Sequence, residues 1–140
     1  MYKTLREGQE LAIALRRELY QIEDIDIVVC PPYTLLAYLA DALETSNILI
    51  GAQDLYWQDE GAFTGEVSPV MLKDIGCKFV IIGHSERRQY FGETNESVNN
   101  KIKASLKHNL TPIVCVGETL SQRESGSTFK VLDDHIGNGL

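Results

Sequence analysis

At 140 residues and 44% hydrophobic content, the chain has material for one ordinary domain and its core. A net charge of −7, from 13 Lys and Arg against 20 Asp and Glu, argues against a nucleic-acid surface, which needs clustered cations. No apolar run approaches the ~18–20 residues that span a bilayer, and the N-terminus lacks the apolar segment of a signal peptide.

In chain order, Leu11, Leu15 and Leu19 fall four apart and predict a helix over residues 4–20 with one apolar stripe. Residues 26–30 form a short β-branched strand, stopped by Pro31 and Pro32. Leu36, Leu39, Ala40 and Leu43 mark a second helix, and residues 48–52 a second strand. Residues 53–68 fit no period; three large aromatics there, Tyr56, Trp57 and Phe63, predict a functional loop packed on its own domain or on another chain. Ser68 as N-cap, Pro69 at the first helical position and Gly76 as the stop then delimit a short helix.

The third strand, residues 78–83, runs directly into His84. Arg87 and Arg88 are flanked by Glu86 and Glu93, which predicts a local ion-pair network. Thr94 caps a helix striped by Val98, Ile102 and Leu106 and closed by Asn109. Residues 111–116 form the fourth strand, with Pro112 near its start. A last helix is expected over residues 128–136, ended by Gly137, Asn138 and Gly139. The strands are nearly continuously apolar, the pattern of parallel strands covered on both faces. Strand–helix units of ~30 residues imply parallel pairing with right-handed crossovers. Cys30, Cys77 and Cys115 form no CxxC spacing and lie in or beside apolar runs, so reduced thiols and a cytoplasmic protein are expected.

Several of these segments carry a family resemblance. Residues 51–54 (Gly-Ala-Gln-Asp), 61–66 (Gly-Ala-Phe-Thr-Gly-Glu), Ser68-Pro69, 82–88 (Ile-Gly-His-Ser-Glu-Arg-Arg), 91–94 (Phe-Gly-Glu-Thr) and 112–118 (Pro-Ile-Val-Cys-Val-Gly-Glu) resemble triosephosphate isomerase, in order and over essentially the whole chain. The resemblance implies an α/β fold, a (β/α)8 barrel, of which the chain carries the second to fifth strand units as a single partial domain over residues 1–140. Such barrels take about 250 residues, so truncation at both ends is expected. Residues 1–4 resemble the family segment that follows its active-site Asn and Lys, and the chain stops before the segment bearing the glutamate base. The family interconverts dihydroxyacetone phosphate and glyceraldehyde 3-phosphate in glycolysis and gluconeogenesis, without metal or organic cofactor, as a homodimer.

By resemblance His84 is the electrophile that stabilises the enediolate oxygen, and Glu86 a supporting carboxylate. Gln53, Phe63, Thr64, Gly65 and Glu66 match positions at the dimer interface. Without the Lys and the Glu base, the chain alone is expected to be nearly inactive. Read from the residues alone, His84 could merely satisfy a hydrogen bond at a strand end, and residues 61–66 could be a plain surface loop. Ser85 lacks the final Gly of a nucleophile elbow, having Arg87 there, and instead suits a turn cap. Glu118 and Arg123 are expected to pair and fix the loop between them. Cys115 reads as core packing, and His108 and His135 as helix-end or surface residues without metal-ligand spacing. Two further readings compete. One is a non-catalytic half-barrel whose strand edges and apolar face take a partner. The other is a flavodoxin-like binding domain, which would need a phosphate loop where Pro31, Pro32 and Tyr33 stand.

Overall fold

The computed structural model describes residues 1–140. Four strands, β1 (Ile27–Val29), β2 (Ile48–Ala52), β3 (Phe79–Ile82) and β4 (Thr111–Val114), form one sheet in chain order, every neighbouring pair parallel. Helices α1 (Leu5–Leu19), α2 (Tyr33–Leu43), α3 (Pro69–Asp74), α4 (Ser85–Tyr90), α5 (Asn95–Lys107), α6 (Leu120–Glu124) and α7 (Thr128–Gly139) alternate with them. Sequential order with a helix between parallel neighbours is the layout of a (β/α)8 barrel, here a curled half of one. No helix is long and apolar enough to cross a membrane.

The core lies between the convex face of the sheet and the helices. Ile48, Ile50, Ala52, Val80 and Ile82 are buried there against Leu35, Leu36 and Leu39 of α2 and Val98 and Ile102 of α5. The alternate residues face the other way. Leu49, Phe79 and Ile81 are half-buried, and Thr111 and Ile113 are exposed. This corrects the expectation that both faces are covered: the continuous apolar runs are real, but only the convex face is packed within these residues.

Local signals place most element ends. Ser68 Oγ accepts the Met71 N–H at 3.2 Å, Pro69 opens α3, and Gly76 follows at φ +89°. Asn109 closes α5 at φ +55°. Thr111 and Cys115 N–H groups donate to Lys78 and Ile82 carbonyls, so alternate amides of β4 face β3 and Pro112 falls on the unpaired side.

Three expectations change. The buried face of α1 is centred on Gly8 and Ala12, not Leu11, which is 46% exposed. A Cβ on Gly8 would lie 2.8 Å from Leu35 Cδ1, so the missing side chain lets α1 approach α2. Helix α7 continues past Ile136 to Gly139, which is buried beside Asn95 and Val98 of α5. Packing there outweighs the poor helix propensity of glycine. Helix α6 was not expected; Thr119 and Gln122 cap it reciprocally.

Candidate active site

The site begins where β3 ends. Gly83 takes φ +75°, and a Cβ there would stand 3.2 Å from both the Cys115 carbonyl and Val98 Cγ2, so conformation and space both require glycine. His84 follows as the N-cap of α4, its ring accepting the Glu86 N–H on Nδ1 at 3.3 Å. An Nδ1 that accepts carries no proton, so the ring's proton sits on Nε2 and that nitrogen is the available donor. The cap is thus the imidazole itself and not Ser85, a correction to the sequence reading.

Glu86 is exposed, its Oε2 3.7 Å from His84 Nδ1. It does not join Arg87 or Arg88. Arg87 instead turns inward, with Nη2 2.9 Å from Asp54 Oδ2 and Nε 3.4 Å from Glu93 Oε1, and its guanidinium lies over the Phe91 ring. Lys101 Nζ stands 2.6 Å from Asp54 Oδ1 and also contacts Glu93 Oε1. These four side chains form a charge-balanced quartet under the His84 turn. Side chains of Asp54, Glu93 and Lys101 are at most 6% exposed. Burial pushes the Asp54 carboxyl up from its ordinary value, while Lys101 and Arg87 pull against that shift. The expected Arg87–Glu93 pair is present, but Lys101 and Asp54 were missed, because nothing in their own segments marks them as partners.

A cavity of about 850 Å³ opens beside His84, lined by Gly83, Arg88, Cys115, Glu118 and His135 among others. His135, expected to be an ordinary helix-end residue, shares this cavity, and its Nδ1 accepts the Gly117 N–H at 3.4 Å. Burial, then the Arg88 cation, hold its imidazole below the ordinary value. Glu118 pairs with Arg123 at 2.7 Å, as expected, and that hydrogen bond holds its carboxyl low. Cys115 is half-buried, and burial raises its thiol, which disfavours a thiolate. No group of three or more His, Cys, Asp or Glu is placed to hold a metal ion.

The long loop after β2 folds on itself. Asp54 and Leu55 are buried at its root, Tyr56 N–H donates to the Val67 carbonyl at 2.9 Å, and the Tyr56 ring stacks on Trp57 at 4.2 Å and meets Phe63 at a tilt at 4.5 Å. Phe63, Thr64, Gly65 and Glu66 remain exposed at its tip. Gln53 donates to the Cys30 carbonyl at 2.9 Å. On the flank, Asp59 is 2.6 Å from Lys107 Nζ and 2.7 Å from His108 Nε2, which hold its carboxyl below the ordinary value.

The family model for triosephosphate isomerase matches residues 1–140. The chain belongs to the triosephosphate isomerase family. It is 52% identical over 140 residues to triosephosphate isomerase of Moorella thermoacetica and 54% identical to that of Citrifermentans bemidjiense. All of this chain is covered in both cases, against 56% of each relative. The crystal structure of triosephosphate isomerase from Bartonella henselae superposes with a TM-score of 0.90 at 37% identity, covering the whole chain and 58% of that protein. The chain therefore spans little more than half the length of the relatives it matches. Its four strands are a continuous part of the triosephosphate isomerase barrel.

Proposed function

We propose that the chain supplies the electrophile-bearing half of a triosephosphate isomerase site, for interconversion of dihydroxyacetone phosphate and glyceraldehyde 3-phosphate through an enediolate. Such a reaction needs a base for the carbon-bound proton and a donor for the oxygen on which charge develops. His84 is the donor. The observation that carries this is the Glu86 N–H on Nδ1, which leaves a neutral ring with Nε2–H free to donate. Triosephosphate isomerase is itself the standard example of a neutral histidine electrophile beside a helix N-terminus. Glu86 is the exposed carboxylate at the same turn, and the Glu118–Arg123 pair fixes the loop after β4.

The proton-abstracting glutamate and the lysine of the family pattern are not among these 140 residues, so the chain alone is nearly inactive. The exposed tip of the β2–α3 loop, Phe63, Thr64, Gly65 and Glu66, with Gln53 at its root, is the surface that meets a second subunit. An isomerase assay on the purified chain tests the reading. Turnover is expected to fall below that of a complete relative by at least ~10²-fold, the loss that removal of a general base brings. His84→Gln lowers the residual rate further. A rate equal to the relative's overturns the inactivity, and a residual rate untouched by H84Q overturns the role of His84.

A further inference from the structure

We propose that Glu93 is a positioning residue for His84, its buried carboxylate holding the peptide just ahead of the imidazole and thereby fixing the ring's tautomer and direction. Gly83 has no side chain to fix the strand exit, and glycine is the least restricted residue in the chain's backbone vocabulary. Something else must choose its conformation. The Gly83 N–H donates to Glu93 Oε2 at 3.0 Å, and the Gly83 carbonyl accepts from Arg88 Nε at 3.1 Å. The peptide is therefore gripped from both sides. The other Glu93 oxygen takes Arg87, which belongs to the helix that His84 caps, and Lys101 of α5. One carboxylate thus ties the residue before the histidine to the helix after it.

A residue kept only for packing would be apolar at this depth, because replacing buried ion pairs with apolar side chains is often neutral or stabilising. The Glu93 side chain is 2% exposed and yet lies against two cations. An apolar replacement can fill its volume but cannot accept the Gly83 N–H, and that acceptor is what the turn needs. Its functional meaning rests on His84 being the electrophile, so the test reads the ring and not the turnover.

In a chain labelled with ¹⁵N-histidine, the imidazole nitrogens report tautomer directly. The double variant Glu93→Leu with Lys101→Met removes one charge of each sign and leaves Arg87 paired with Asp54. It is expected to fold, to move the His84 Nδ1 and Nε2 signals toward each other as the tautomers mix, and to speed Gly83 amide exchange by roughly tenfold through loss of a charge-assisted hydrogen bond. Lys101→Met alone lowers stability but keeps the Gly83–Glu93 contact, and the ring signals stay at their wild-type positions. A folded double variant with wild-type ring signals overturns the proposal, as does Lys101→Met moving them equally far. Should the double variant not fold, wild-type Gly83 decides: protection like that of β3 amides supports the grip, and exchange as fast as in the exposed loop overturns it. A shifted ring together with an H84Q variant of unchanged residual rate would sink only the reading of His84, not the grip.

Discussion

The turn after β3 and the loop after β2 leave neighbouring strands at the same end of the sheet but are held by opposite means. The turn is short, begins at a glycine with φ +75° and rests on four charges beneath it. The loop is long, closes on three aromatic rings in contact and keeps its tip exposed. Directional hydrogen bonds to charged groups fix one atom relative to another, whereas aromatic stacking tolerates sliding and tilting. A turn presenting one imidazole needs the first kind of restraint. A tip that meets another surface can use the second. The two share Asp54, which is buried at the loop's root and belongs to the quartet below His84.

The difference can be broken in order of expected effect. Lys101→Ala leaves Asp54 and Glu93 facing each other with only Arg87 between them, and should cost about 3–5 kcal/mol in denaturant unfolding. A cost near zero would mean that the quartet does not hold the turn. Gly83→Ala forces a side chain into the left-handed region and against the Cys115 carbonyl, at about 1–3 kcal/mol by the same measurement. On the loop, Phe63→Ala loses one partly exposed, tilted aromatic contact and should cost about 0.5–1.5 kcal/mol. On the proposal that the tip meets a second subunit, sedimentation should show Phe63→Ala weakening self-association, and a stability loss matching Lys101→Ala would erase the contrast.

The smallest effect is in pH. The Asp59 carboxyl is lowered in the folded chain by Lys107 and His108, so between its folded and unfolded values the unfolded chain binds more protons. Its contribution is fully present above the ordinary carboxylate range and disappears as pH falls through the folded value. His135 is also lowered, chiefly by burial, so folding favours its neutral form and stability drops as pH falls through the ordinary histidine range. Melting of Asp59→Asn against the parent should show a flatter acid limb on the loop side, while His135→Gln flattens the limb nearer neutrality. Parallel curves would remove either group from the account.

Where structure depends on neighbours in sequence, it was legible. The Ser68 cap, Pro69 and Gly76 define α3 within nine residues, and the β-branched run into His84 defines a strand that delivers its last residue to the sheet end. The Glu118–Arg123 pair was legible too, being five residues apart across one turn. Helix α6 could have been found from the Thr119/Gln122 pair that caps it. Other features could not be read this way. Leu11 has the right spacing but lies beside the face that Gly8 opens toward α2, and Gly139 stays helical because α5 lies against it. His135 reaches the cavity beside His84 only because α7 packs back on α5.

The amino-acid order by itself determined the alternation of strands and helices, their parallel sense and the histidine at the end of β3, since these follow from periodicity, caps and the short reach of a crossover. Tertiary structure alone decided which distant charges join the Arg87–Glu93 pair. Arg87 and Glu93 lie six residues apart and are expected to pair, but Asp54 and Lys101 come from distant segments, and each reads locally as an ordinary surface residue. A charge leaves water only when opposite charges and hydrogen-bond donors are already in place around it. That condition is met by the packing of α4 and α5 around the root of the loop, which no single stretch of sequence contains.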